Sequence, residues 1–320
     1  MKRLLPLGAL LVLFATLALA LAACGDNEEQ PAATAEPAVT AGATPSAEKF
    51  PLVVARSDGR QLTIPELPRR IASLSPGATE VLYAVGAGPQ VVATDLQSDY
   101  PPEAESTTRL DAFQPNVEAI VGVEADLIII ANDQDNVVET LDGLDKTVLF
   151  LEVPNTIDGV IEQVRLLALV SGHESEGERL AQEMESRINA VTDKLADVLE
   201  GPRVYHELDN TFFTAAPDSF VGDFYKLLEA RNIAEGAPSA YPQLTQEEIL
   251  DRDPEVIVLA DADAGESPET VKARPGWGVI SAVKNDRIYV IDPDIVSRPS
   301  PRVVDGLEEL ARFLYPEKFP

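Results

Sequence analysis

Few side chains in this 320-residue chain are equipped for covalent or metal chemistry. There is one cysteine, Cys24, and there are two histidines, His173 and His206. A bare zinc or manganese site draws on several histidines and carboxylates, so no metal site is expected, and any metal arrives already chelated. No nucleophile elbow, phosphate-cradling glycine loop or Cys-x-x-Cys occurs, which removes the commonest covalent and nucleotide chemistries. Asp261-Ala-Asp263 is a thin calcium signature that reads as a solvated loop. Carboxylates such as Asp95 and Asp294 have the groups for acid–base work, but nothing in the sequence orients them for it. Binding, not catalysis, is the expectation. Asp and Glu total 54 against 25 Lys and Arg, a net charge of −29. That argues against nucleic acid or anionic lipid as partners, since both need a basic patch.

The elements that carry these groups begin with an export signal. Lys2 and Arg3 precede an apolar run that ends in Leu21-Ala22-Ala23-Cys24, the pattern of a secretory leader. The last four residues are similar to a bacterial lipobox, which implies cleavage before Cys24, its acylation, and an extracytoplasmic protein anchored to the membrane by lipid. Without Lys2 and Arg3 the net charge becomes −31. Residues 24–49, rich in Ala, Pro, Thr and Glu, read as a disordered tether. From residue 50 onward, apolar β-branched runs alternate with helix-period segments. Strands are expected at 71–74, 90–94, 127–130, 147–151, 203–208, 256–259 and 287–291. This alternation predicts parallel sheets covered by helices. Residues 156–200 break the rhythm. Leu180, Met184, Ile188, Val191 and Leu195 form one apolar helix stripe. Gly172 and His173 separate this helix from an earlier one over 157–170, and Gly201-Pro202 is expected to stop it. The chain therefore divides into an N-terminal α/β lobe (50–155), connecting helices (156–200) and a C-terminal α/β lobe (201–320).

The two halves echo each other. Glu118-Ala-Ile-Val-Gly-Val-Glu-Ala-Asp126-Leu-Ile-Ile-Ile-Ala131 aligns with Glu247-Glu-Ile-Leu-Asp-Arg-Asp-Pro-Glu255-Val-Ile-Val-Leu-Ala260 without a gap. Each copy reads as a short helix, a tight turn and a buried strand, with a Glu at the helix start, where the dipole tolerates it and solvent reaches it.

Ile71-Ala-Ser-Leu-Ser-Pro-Gly-Ala-Thr-Glu80, Ser98-Asp-Tyr-Pro-Pro102, Pro115-Asn-Val-Glu118, Arg274-Pro-Gly-Trp277 and Ser297-Arg-Pro-Ser-Pro-Arg302 together resemble the periplasmic cobalamin and ferric-siderophore binding proteins. The likeness runs from about residue 50 to 320. It implies two Rossmann-like lobes joined by a long backbone helix, with the ligand in the cleft between them. It also implies delivery of a corrinoid, ferric siderophore or haem to the permease and ATPase of an ABC importer, by a monomer without a resident cofactor. A binding module of a membrane sensor, or an extracellular enzyme on the same fold, are the alternatives.

Ligands of open α/β sheets sit beyond the carboxyl ends of strands, which points to Ser75 and Pro76, Thr94 and Asp95, Ala131 and Asn132, Asp261, and Asp292 to Asp294. The resemblance singles out Asp294 and Arg298, matching an Asp and an Arg that face the ligand, and Phe213 and Tyr241, matching aromatic contacts. Rings and an Arg suit a large, flat, amide- or carboxylate-bearing guest. A cleft Trp of the cobalamin binders falls here at Ala112 or Phe113, and another is replaced by Asn132-Asp-Gln-Asp135, so the cleft carries fewer rings and more carboxylates. Glu118 and Glu247 match the pair that docks onto permease arginines, one per lobe. That arrangement fits a two-fold symmetric partner.

Overall fold

The computed structural model describes residues 45–320. Cys24, the expected signal and most of the expected tether lie outside the described residues. The last tether residues do not dangle. The Ser46 amide donates to the Gly172 carbonyl at 2.8 Å, and Lys49 ion-pairs with Glu174.

Lobe 1 opens with an antiparallel pair, β1 (Leu52–Ala55) and β2 (Gln61–Ile64). A five-stranded sheet follows: β3 (Ile71–Leu74), β4 (Val91–Asp95), β5 (Thr108–Leu110), β6 (Leu127–Ile130) and β7 (Val148–Phe150). Its order is β5-β4-β3-β6-β7, and every pairing is parallel. All residues of β3 and β6 are buried, as expected of strands covered on both faces. Helices α1 (Pro76–Ala84), α2 (Val117–Gly122) and α3 (Val137–Asp142) fill the crossovers. Ser75 caps α1 by accepting from the Ala78 amide, and Pro76 takes its first turn, where no N–H is needed.

Two helices leave lobe 1. The first, α4 (Ile157–Ser171), is capped by Thr156 and ends at Gly172, whose φ of 80° is the left-handed conformation that glycine adopts without strain. The second, α5 (Glu174–Leu195), has 22 residues, about 33 Å at 1.5 Å per residue. It stops at Leu195, six residues before the expected Gly201-Pro202 stop. Gly177, Ala181, Met184, Ile188, Val191 and Leu195 are its buried face, each large apolar side chain contributing about 2 kcal/mol. Its start is tied to lobe 1: buried His173 meets Gln90 at 3.0 Å. Its later turns are tied to lobe 2: Arg187 pairs with Asp305 and Glu308, and Lys318 with Asp197.

Lobe 2 contains β8 (Arg203–Glu207), α6 (Phe220–Leu227), β9 (Arg231–Asn232), α7 (Gln246–Arg252), β10 (Val256–Leu259), α8 (Pro268–Lys272), α9 (Ser281–Lys284), β11 (Ile288–Val290), α10 (Pro293–Ser297) and α11 (Val303–Leu314). Its sheet, β11-β10-β8-β9, is also wholly parallel. One apolar core runs from lobe 1 through α4 and α5 into α6 and α11 of lobe 2, and the outer face of each sheet has its own smaller core. The connector is thus packed scaffold. Among the described residues, no helix is long and apolar enough to cross a membrane.

The internal echo extends into the geometry. The Arg70 amide donates to Asp126 at 3.0 Å, and the Arg203 amide to Glu255 at 2.9 Å. The Arg70 guanidinium caps the Glu124 carbonyl at 2.9 Å, and that of Arg203 the Asp253 carbonyl at 2.8 Å. Glu124 and Asp253 both adopt positive φ. The same joint of helix end, turn and strand start is built twice, once per lobe.

Candidate ligand-binding cleft

Segments that follow β3, β4, β6 and β7 of lobe 1 meet the segment that follows β11 of lobe 2 at the junction of the lobes. The N-terminus of α1 touches lobe 2 directly. A Cβ on Gly77 would lie 2.2 Å from the Pro299 carbonyl oxygen, so only glycine allows this approach. A small pocket beside it is lined by Ser75, Ala131, Val153 and Pro154 of lobe 1 and Pro299 of lobe 2.

An ion-pair network crosses the junction. Glu80, on α1 and only 3% exposed, receives two hydrogen bonds from Arg302 of lobe 2, Nε to Oε2 at 2.8 Å and Nη2 to Oε1 at 2.6 Å. This fork is the strongest geometry a carboxylate and a guanidinium can adopt. The guanidinium also lies 4.2 Å from the Tyr100 ring centroid. Arg298 reaches the same Glu80 at 3.2 Å, Asp99 of lobe 1 at 2.7 Å, and Asp294 of its own helix at 2.9 Å. Burial pushes the Asp99 carboxyl up, but its hydrogen bond to Arg298 and the charges of Arg298 and Arg302 together hold it below the ordinary value. Burial raises Asp294, with the Arg298 charge opposing and the Asp99 charge adding to the shift. With Asp292 at 4.0 Å from Arg302, four carboxylates face two arginines, and the floor of the junction carries two surplus negative charges.

The structure thus joins Asp294 and Arg298, two of the sequence candidates. It places the others differently. Asp95 is 1% exposed and accepts from Ser98 Oγ at 2.5 Å and the Gln97 amide at 2.8 Å. It is an internal strut of the loop that carries Asp99, because a strand-end carboxylate with local donors turns inward to use them. Pro76 is half-buried at the first turn of α1. Phe113 and Asn132 are exposed on the loops after β5 and β6. Phe213 and Tyr241, 38% and 48% exposed, flank a short antiparallel contact in which Phe213 pairs with Gln243 and the Thr214 amide donates to the Pro242 carbonyl. Trp277 is fully buried, in line with a structural role.

Several residues of the junction were not singled out from the sequence. Glu80, Asp99, Tyr100 and Arg302 lie within segments that carried the resemblance, but no local pattern pairs residues some 200 positions apart. Leu96 and Val153, each more than half exposed on the loops after β4 and β7, add apolar surface among polar neighbours. Isolated apolar loop residues give no periodic signal.

Glu118 and Glu247 occupy matching first turns of α2 and α7, capped by Asn116 and Thr245. Both are exposed, and neither makes an ion pair among the described residues.

A second charged cluster lies under the loops after β8 and β10. Buried Glu207 is clamped by Arg274, Nη1 to Oε2 at 2.6 Å. Arg274 also holds Glu266 at 2.7 Å and covers the Trp277 ring at 4.5 Å. Asp261 sits beside them, 6% exposed, and neither carboxylate oxygen has a hydrogen-bond partner among the described residues. Burial, then the charges of Glu207 and Glu266, push its pKa up to about 6. The histidines are engaged in packing. His206 Nδ1 meets the Tyr225 hydroxyl at 2.7 Å, and burial lowers its pKa to about 4. His173 is also lowered by burial.

A model of the periplasmic binding protein family matches residues 71–295. An uncharacterized ABC transporter substrate-binding lipoprotein of Bacillus subtilis is 28% identical over an alignment of 327 residues, covering 100% of this chain and 99% of its own. A cobalamin-binding protein of Halobacterium salinarum is 28% identical over 272 residues, covering 82% and 73%. The crystal structure of the periplasmic vitamin B12-binding protein of Vibrio cholerae superposes with a TM-score of 0.69 at 27% identity, covering 79% of this chain and 99% of the other.

Proposed function

The chain belongs to the periplasmic binding protein family, and from that membership we propose that it is the solute-binding component of an ABC importer, holding a corrinoid in the cleft between its lobes. The observation that carries the ligand reading is the pairing of Asp294 with Arg298 at the junction. Elsewhere on the two lobes, Phe113, Phe213 and Tyr241 are exposed on loops. Rings offer stacking faces, the guanidinium donates to amide oxygens, and carboxylates accept from amide N–H groups. A floor with two surplus negative charges favours a neutral, amide-rich guest over one bearing several carboxylates. The names of the Halobacterium and Vibrio relatives support the same ligand class.

The family acts outside the cytoplasm. Lipid attachment through Cys24 is the finer proposal, supported by the Leu-Ala-Ala-Cys sequence and by the description of the Bacillus relative as a lipoprotein. The partners proposed are the permease, met by Glu118 and Glu247, and behind it the ATPase. The protein is read as a carrier and not a catalyst: ligand is taken up and released unchanged.

The test is a binding screen of the purified protein against cyanocobalamin, cobinamide, haemin and two ferric siderophores, one hydroxamate and one catecholate, followed by absorbance and tryptophan fluorescence. Saturable binding of a corrinoid supports the proposal. Binding of haemin or a siderophore alone keeps the carrier and replaces the ligand. Chemical alteration of the ligand on prolonged incubation overturns the carrier reading itself.

A further inference from the structure

Arg298 is the guanidinium through which the proposed ligand is gripped, yet both of its terminal nitrogens already face carboxylates. Nη2 is held by Asp294 at 2.9 Å, from the same helix. Nη1 donates to Asp99 at 2.7 Å and lies 3.2 Å from Glu80, both from the opposite lobe. The three partners are not equivalent. Glu80 is almost sealed and is committed to the Arg302 fork. Asp294 sits one helical turn before Arg298 and fixes the guanidinium orientation. Asp99 alone is half exposed, at 52% of its side chain, and stands on the loop between Asp95 and the Pro101-Pro102 turn. Of the three, it is the one that can leave without stranding a buried charge.

We propose that Asp99 is a built-in competitor of the ligand: its carboxylate takes the Arg298 nitrogen across the cleft, and the ligand enters by supplying an acceptor oxygen in its place. This rests on the reading of the cleft as the ligand site and adds a residue that sets its threshold. A guest that brings an amide or carboxylate oxygen to Arg298 releases the Asp99 loop. A guest without an acceptor there leaves the cross-cleft pair intact and meets its full cost. Asp99 thereby discriminates among flat, bulky molecules of similar shape, since the exchange rewards one hydrogen-bonding group at one place.

The experiment compares Asp99→Asn with the unaltered protein in two measurements. Titration with cyanocobalamin is expected to show binding tighter by about two- to fivefold, the range for losing a partly exposed competing pair. Amide hydrogen exchange without added ligand is expected to quicken in residues 96–101 and 293–298, the two segments the pair connects. Weaker binding by the variant makes Asp99 a ligand contact and overturns the proposal, as does unchanged affinity. If cyanocobalamin does not bind the unaltered protein, the corrinoid reading fails separately. The exchange data then decide the competitor: faster exchange in both segments supports the cross-cleft pair, and unchanged exchange overturns it.

Discussion

Glu80 of lobe 1 and Arg302 of lobe 2 lock together through two hydrogen bonds of 2.8 and 2.6 Å, at a point where both side chains are largely buried. The pair is a pin through the junction, independent of the helix that joins the lobes elsewhere. Truncating one member of a buried pair strands the other, which costs about 3–5 kcal/mol. Glu80→Gln is expected to lose about 3 kcal/mol of stability on that basis, read by urea denaturation. A loss below about 1 kcal/mol, the range of an exposed pair, would place the pin in solvent.

Gly77 supplies another contact between the lobes, its backbone pressed against the Pro299 carbonyl. Gly77→Ala forces one backbone to shift, an overpacking cost of about 1–3 kcal/mol. The expected result is a lowered melting temperature together with faster hydrogen exchange around Pro299. A variant with unchanged melting and exchange would mean the lobes part freely at this point.

Asp261 gives the molecule a pH signature. Its folded pKa, about 6, stands above the ordinary 3.8, because burial and two neighbouring carboxylates disfavour its charge. The stability associated with its proton is complete below the ordinary value and is lost as pH rises through 6. Asp261→Asn is expected to remove that decline and to stabilise the protein at pH 7 by on the order of 2 kcal/mol. Urea unfolding at intervals from pH 4 to pH 7.5 tests this. Parallel profiles for the two proteins would mean that the Asp261 carboxylate finds donors in solution.

Much of the scaffold was legible in the sequence because its signals are local. The buried strands 127–130 and 256–259 are unbroken apolar runs, and the stripe from Leu180 to Leu195 has helical spacing. The repeat that pairs Glu118 with Glu247 proved to be a repeated structural joint, down to Arg70 and Arg203 on matching carbonyls. Short or edge elements escaped notice: β5 has three residues and β9 two, too few for periodicity. The site was legible only in part. Asp294 and Arg298 are four residues apart, on α10 and at its C-cap, but Glu80 and Arg302 are 222 positions apart, and only the folded chain brings them together. Asp95 read as a strand-end ligand group, although the donors of Gln97 and Ser98, two and three residues on, turn it inward.

Glu118 and Glu247 are exposed, without an ion pair among the described residues and equivalent by the internal repeat, an arrangement that suits a partner of two-fold symmetry. Reversing both to Lys is expected to abolish importer-dependent uptake of cobalamin in cells while leaving the affinity of the purified protein unchanged. Uptake that survives the double reversal would remove these residues from docking and favour the sensor reading.

The central claim is that one bulky guest is gripped between the lobes with Arg298 as a principal contact. It is tested most directly by isothermal titration of cyanocobalamin into the unaltered protein and into Arg298→Ala. The account predicts one site with a dissociation constant of about 1 μM or tighter, and a loss of at least about tenfold in the variant, measured at a temperature where both proteins are folded. Equal affinity in a folded variant, or no heat of binding from the unaltered protein, would contradict it.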